Sequence, residues 1–242
     1  MNVAAEKHYL HFLQEIKRNA GKETREQKEW LKKYMGTKKI YYSVKSGTKN
    51  QLIKNWIKNN KDISPAEYEG LLNLLYKGKS HEEFSFAGRL LEYLSKLREQ
   101  ININCLDKWL DNAEGWGEVD SICQSNFSSK ELLTNWENWR KMILRFSKDS
   151  NIHKRRASLV LLTKPVRESA DKRLSDLAFA VINKLKKEKD ILITKAISWL
   201  LRDLIKNNRI LVKNYLENNN DLPRIAIRET KNKLLTGKKS IG

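Results

Sequence analysis

Residues Asp190–Lys206 read DILITKAISWLLRDLIK, and the apolar spacing is that of a helix. Ile193, Ile197, Leu200, Leu201 and Leu204 recur three and four residues apart, on one face of a 3.6-residue turn. At about 100° per residue Trp199 points away from that stripe and shares the other side with Lys195, Arg202 and Lys206. A tryptophan is ordinarily core, and a helix buried on both faces is the plain reading. A large ring set among cations on an outward face suits instead a sugar–phosphate chain or a base.

The same periodicity runs outward along the chain. Tyr9, Phe12, Leu13 and Ile16 mark a helix over residues 4–19, Glu26–Met35 suits a second, and Leu52, Trp56 and Ile57 mark a third. Between the last two lies a loop, Gly36–Gly47, with a short apolar piece at Ile40–Val44. Ser64-Pro-Ala-Glu67 is a helix start, with serine as N-cap, proline at the first helical position and glutamate closing a capping box. That helix ends near Gly78. Further helices are expected over His81–Leu97, Asp107–Leu110 and Trp116–Cys123, and after a cap at Ser128 or Ser129. Others follow over 151–163 (capped by Asp149 or Ser150), Ser169–Leu185, Asp190–Lys206, Ile210–Glu217 and Asn220–Leu235, with a frayed tail from Thr236. Strand signals are almost absent. The expected fold is all-α, a single domain over residues 1–242 of stacked antiparallel helix pairs in a degenerate HEAT-like solenoid with a concave basic surface; a plain globular helical domain is the alternative.

Lys and Arg number 48 against 29 Asp and Glu, a net charge of +19, which points to a polyanionic partner. Cys105 and Cys123 form neither a metal pattern nor a disulfide framework, and a reducing compartment, the cytoplasm, is the simpler expectation. The charged N-terminus is not a signal peptide, and no stretch approaches the apolar length of a membrane span. His8, His11, His81 and His153 lack metal-ligand spacing, so no metal and no other cofactor is expected.

Two further constellations carry chemistry. Trp116 and Asp120 stand at i and i+4 on one helix face, where a cation gains both from the ring quadrupole and from the carboxylate. His153-Lys154-Arg155-Arg156 opens a helix. Arg156 leans toward its packed stripe and Arg155 nearly as closely, so periodicity does not choose between them. An inward-leaning arginine requires a buried carboxylate or a phosphate.

Together these stretches resemble the DNA alkylation repair family of HEAT-like-repeat glycosylases. The resemblance lies in Glu114-Gly-Trp116-Gly-Glu-Val-Asp120, Ser150-Asn-Ile-His-Lys-Arg-Arg156-Ala and Lys195-Ala-Ile-Ser-Trp199-Leu-Leu-Arg202, with Tyr34-Met35 and Tyr41–Val44 similar to the family's N-terminal part. It implies a monomer that cradles duplex DNA and excises bases alkylated at N3 or N7 without flipping them into a deep pocket. Asp120 would be the catalytic carboxylate, with Trp116 and Trp199 flanking the lesion's backbone and Arg156 on phosphate. Tyr34 aligns with an aromatic at the same surface, and Lys195, Arg202 and Arg155 would add DNA contacts. Departures are His153, where the family often has tryptophan, and Ile191 and Leu192, where two aromatics are common. The competing readings are a non-catalytic binder of bent or branched DNA and a scaffold for an acidic protein.

Overall fold

The computed structural model describes residues 3–240; the end of the expected tail, residues 241–242, lies outside them. Fourteen helices and no strand occur among the described residues, so the chain is all-α with a helical-repeat organisation. None of these helices is long and apolar enough to cross a membrane. The chain divides into two compact units, Met1–Ile122 and Cys123–Gly242.

The first unit holds α1 (Val3–Arg18), α2 (Arg25–Met35), α3 (Ser46–Asn59), α4 (Pro65–Tyr76), α5 (His81–Tyr93), α6 (Ser95–Arg98), α7 (Cys105–Asp111) and most of α8 (Trp116–Cys123). Its core is made where α1, α4 and α5 pack together, around Phe12, Ile16, Tyr68, Leu71, Leu72, Phe84, Phe86 and Leu90. The Ser64 capping box forms as expected, and Thr24 and Ser80 cap α2 and α5 in the same way. The helix expected over His81–Leu97 breaks at Leu94, whose backbone leaves the helical region and starts α6. The apolar piece at Ile40 makes one isolated parallel bridge to Ser80. Wholly buried Glu82 fastens the rest of that loop by accepting from the Tyr42 and Val44 amides at 2.9 and 3.3 Å.

The second unit holds α9 (Ser129–Thr134), α10 (Trp136–Phe146), α11 (Ile152–Glu168), α12 (Lys172–Leu185), α13 (Ile191–Glu217) and α14 (Arg224–Thr236). Consecutive helices pack from α9 to α14, and alternate ones do too, α10 on α12 and α11 on α13. Contact with both the next and the next-but-one helix is the arrangement of a two-layer repeat. The α13 face foreseen from spacing, Ile193 to Leu204, is entirely buried. Asn151, not Asp149 or Ser150, caps α11 by accepting from the His153 amide; Asp149 instead accepts from the Asn151 amide. The helix also runs past residue 163 through Pro165, and α12, expected from Ser169, starts at Lys172 with Asp171 as its cap. The two segments expected over 190–206 and 210–217 both form, as the two arms of α13 on either side of a kink at Asn208, whose backbone is non-helical.

Candidate active site

In the first unit the site begins with two glycines. A Cβ at Gly115 would lie 2.1 Å from the Met35 carbonyl oxygen, and one at Gly117 would lie 2.0 Å from the Met35 methyl. At Gly115 the obstacle is backbone, so the end of α2 reaches the start of α8 only without a side chain there, whereas the Met35 methyl facing Gly117 ends a flexible side chain that can move. The approach sets Trp116 beside Tyr34. The indole Nε1–H donates to the Tyr34 carbonyl at 2.8 Å, and the rings meet edge to face with centroids 5.4 Å apart. Trp116 is half-buried and Tyr34 exposed, so this aromatic pair lies at the surface of its unit. Asp120, one turn on, is 8% exposed.

Glu118 lies between them in sequence and is almost wholly buried. It accepts from the Glu114 and Gly115 amides at 2.6 and 3.3 Å, donors left over at the start of α8. Burial pushes its carboxyl up, but the neighbouring His81 and Thr37 side chains and the Glu114 amide outweigh burial and hold its pKa below the usual value. Its Oε1 lies 3.9 Å from His81 Nδ1, beyond hydrogen-bond reach, so its hydrogen bonds are those from the two amides. The first turn of α8, which carries Trp116 and leads to Asp120, is thereby anchored by a buried anion.

The second unit holds the other expected residues. Arg156 is 5% exposed and donates to the Leu192 carbonyl at 2.7 Å, tying α11 to the first turn of α13. Arg155 pairs with a carboxylate, its Nε lying 2.8 Å from Glu188 Oε1. Its Nη1 donates to the Asp149 and Ser150 carbonyls. Lys195 is exposed, whereas Arg202 is half-buried and turned to Glu229 at 3.6 Å. Trp199 is half-buried, neither core nor fully presented; of the residues beside it on α13, Ala196 is buried and Lys195 exposed.

Sequence reasoning missed Asp203. It stands four residues beyond Trp199, repeating the Trp116–Asp120 spacing, and that repetition was the available signal. Burial lifts its carboxyl above the usual aspartate value, while Arg167, Arg202 and a hydrogen bond from Trp199 draw it back. The Arg167 Nε approaches Oδ2 at 3.6 Å without hydrogen-bonding it. Among the described residues no three His, Cys, Asp or Glu side chains cluster as metal ligands.

Charge is divided unevenly. Residues 123–242 carry 27 Lys and Arg against 12 Asp and Glu, and residues 1–122 carry 21 against 17. The second unit is thus the main source of attraction for a polyanion.

A family model described as DNA alkylation repair enzyme matches residues 13–234. Among solved structures, one titled "Predicted DNA alkylation repair enzyme from Enterococcus faecalis" is similar with a TM-score of 0.71. The match covers 88% of this chain and 97% of that one at 18% identity, so the likeness is one of fold. No curated protein matches the chain.

Proposed function

The chain belongs to the DNA alkylation repair enzyme family, and on that premise we propose that it is a monofunctional DNA glycosylase releasing cationic N3- and N7-alkylated purines, 3-methyladenine and 7-methylguanine, from duplex DNA. The observation that carries this reading is the setting of Asp120: a carboxylate one turn from a half-buried Trp116 whose ring is fixed against exposed Tyr34.

The chemistry suits that setting. A purine alkylated at N3 or N7 is already cationic, so its glycosidic bond breaks with the electron pair leaving on the base, which departs neutral. Positive charge passes to the sugar, and water adds at C1′ with loss of a proton. Asp120 stabilises the oxocarbenium-like sugar and orients that water, catalysis by a preorganised charge. Trp116 and Trp199 offer ring faces to the cationic state along the lesion's backbone. Arg156 acts on a phosphate through poorly screening protein, and exposed Lys195 takes another. No lysine nucleophile is invoked, hence no strand-cutting step. The protein acts as a monomer on DNA in the cytoplasm.

The test is base release from methylated DNA by wild type beside Asp120→Asn. Release by wild type, reduced on the order of 100-fold or more in the variant, supports the proposal; no release by wild type from either substrate overturns it. The low exposure of Asp120 favours one competing reading, a non-catalytic DNA binder. That reading predicts salt-sensitive binding indifferent to Asp120→Asn.

A further inference from the structure

Helix α2 carries a feature that this chemistry does not use. None of its residues is buried. Trp30 and Tyr34, one turn apart, stack with centroids 5.5 Å apart and planes 4° from parallel, though they are 63% and 59% exposed. Tyr34 is held in place at the other end of the stack, where Trp116 grips its carbonyl and meets its ring edge-on. The result is a fixed ladder of rings that begins at the Asp120 helix and ends in an open tryptophan. Lys28 and Lys33 lie on the same helix and Lys38 just beyond it, and among the described residues these three make no ion pair. Lys32 and Lys39, by contrast, pair with Glu29 and Glu114.

We infer that the Trp30–Tyr34 stack is a shelf for an unpaired nucleobase of the bound DNA, which extends the stack as a third ring while Lys33 and Lys38 take the flanking phosphates. Parallel rings bordered by unpaired cations are what an unstacked base and its backbone require, because every base has a π-face and each is flanked by phosphate. The inference rests on the proposed function only for the identity of the polyanion. It assigns Trp30 a contact in binding, not in bond breaking.

Anisotropy titrations with unmodified DNA test it without involving base release. Three probes of matched composition suffice: a paired duplex, the same duplex with one bulged nucleotide, and a single strand. Trp30→Ala is expected to weaken binding of the bulged and single-stranded probes about ten-fold and to change the duplex less than about two-fold. Trp30→Phe is expected to retain most of the affinity. Because α2 buries no residue, both variants keep the wild-type melting profile. Equal losses on all three probes, or none, overturn the shelf. So does an effect of Trp30→Ala confined to vesicles of anionic phospholipid, which would make α2 a membrane-surface helix. Failure of the glycosylase reading appears separately, as absent release from methylated duplex, and leaves these affinities unchanged.

Discussion

The indole of Trp116 donates its N–H to the main-chain carbonyl of Tyr34 at 2.8 Å, joining the first residue of α8 to the last turn of α2. This bond depends on the glycine at 115. Gly115→Ala drives a methyl group into the Met35 carbonyl, a backbone oxygen that cannot rotate away. The variant is expected to lose about 1–3 kcal/mol of stability in urea melts, with a changed near-ultraviolet aromatic signal as Tyr34 and Trp116 part. Gly47→Ala serves as the control. Its new methyl meets nothing within 4 Å, and with φ in the helical region the substitution should stabilise α3 by up to ~1 kcal/mol.

Glu118 makes the same junction sensitive to acid. Its pKa is held below the usual glutamate value near 4.5, so the folded state binds that proton less readily than the unfolded chain. The stability it contributes is therefore fully present above about pH 4.5 and is lost as pH falls through the lowered folded value. Glu118→Gln is expected to cost about 1–3 kcal/mol at neutral pH, because the Glu114 and Gly115 amides lose a charged acceptor. The gap between variant and wild type should close in melts taken well below the ordinary glutamate range. A gap that persists in strong acid would show the loss to be one of packing.

Asp203 should behave in the opposite sense. Its pKa is raised from 3.8 by burial, so between 3.8 and the folded value the folded chain holds a proton that the unfolded chain has released. Stability from this group falls as pH rises through that window. Asp203→Asn removes the dependence, and its stability relative to wild type should improve as pH rises from below 3.8 toward neutrality. A constant difference across that range would mean that Arg167 and Arg202 cancel the effect of burial, and a difference of the opposite slope that they outweigh it.

These cases show what the sequence could and could not reveal. Faces defined by many apolar residues were legible: every member of the Ile193–Leu204 stripe is buried, and the Ser64 box closes as its spacing required. Boundaries decided by one side chain among several candidates were not. Asp149, Ser150 and Asn151 are all competent N-caps, and the choice fell to the residue whose oxygen reaches the His153 amide. Pro165 did not stop α11, which continues to Glu168. The glutamate there accepts from the Ser129 amide at the start of α9, a tertiary contact that spacing does not report. Trp116 and Asp120 were visible as an i, i+4 pair. The stack of Trp30 on Tyr34 has the same spacing, but nothing in the sequence says that α2 leaves both rings exposed.

The cations of the second unit separate by the same local geometry. Arg155 is committed to Glu188 and to two carbonyls ahead of α11, so its guanidinium works chiefly on its own protein. Lys195 is exposed on α13, and among the described residues it makes no ion pair. On duplex DNA, Lys195→Ala should weaken binding uniformly across sequences and reduce the slope of log affinity against log salt by about 1, without altering the melting profile. Arg155→Ala should instead cost about 1–3 kcal/mol of stability and leave the salt slope within about half a charge of wild type. Titrations at several salt concentrations beside urea melts distinguish the two. If Arg155→Ala lowers the slope as far as Lys195→Ala does, its pairing with Glu188 yields to phosphate when DNA binds, and the charge run at the start of α11 belongs to the nucleic-acid surface.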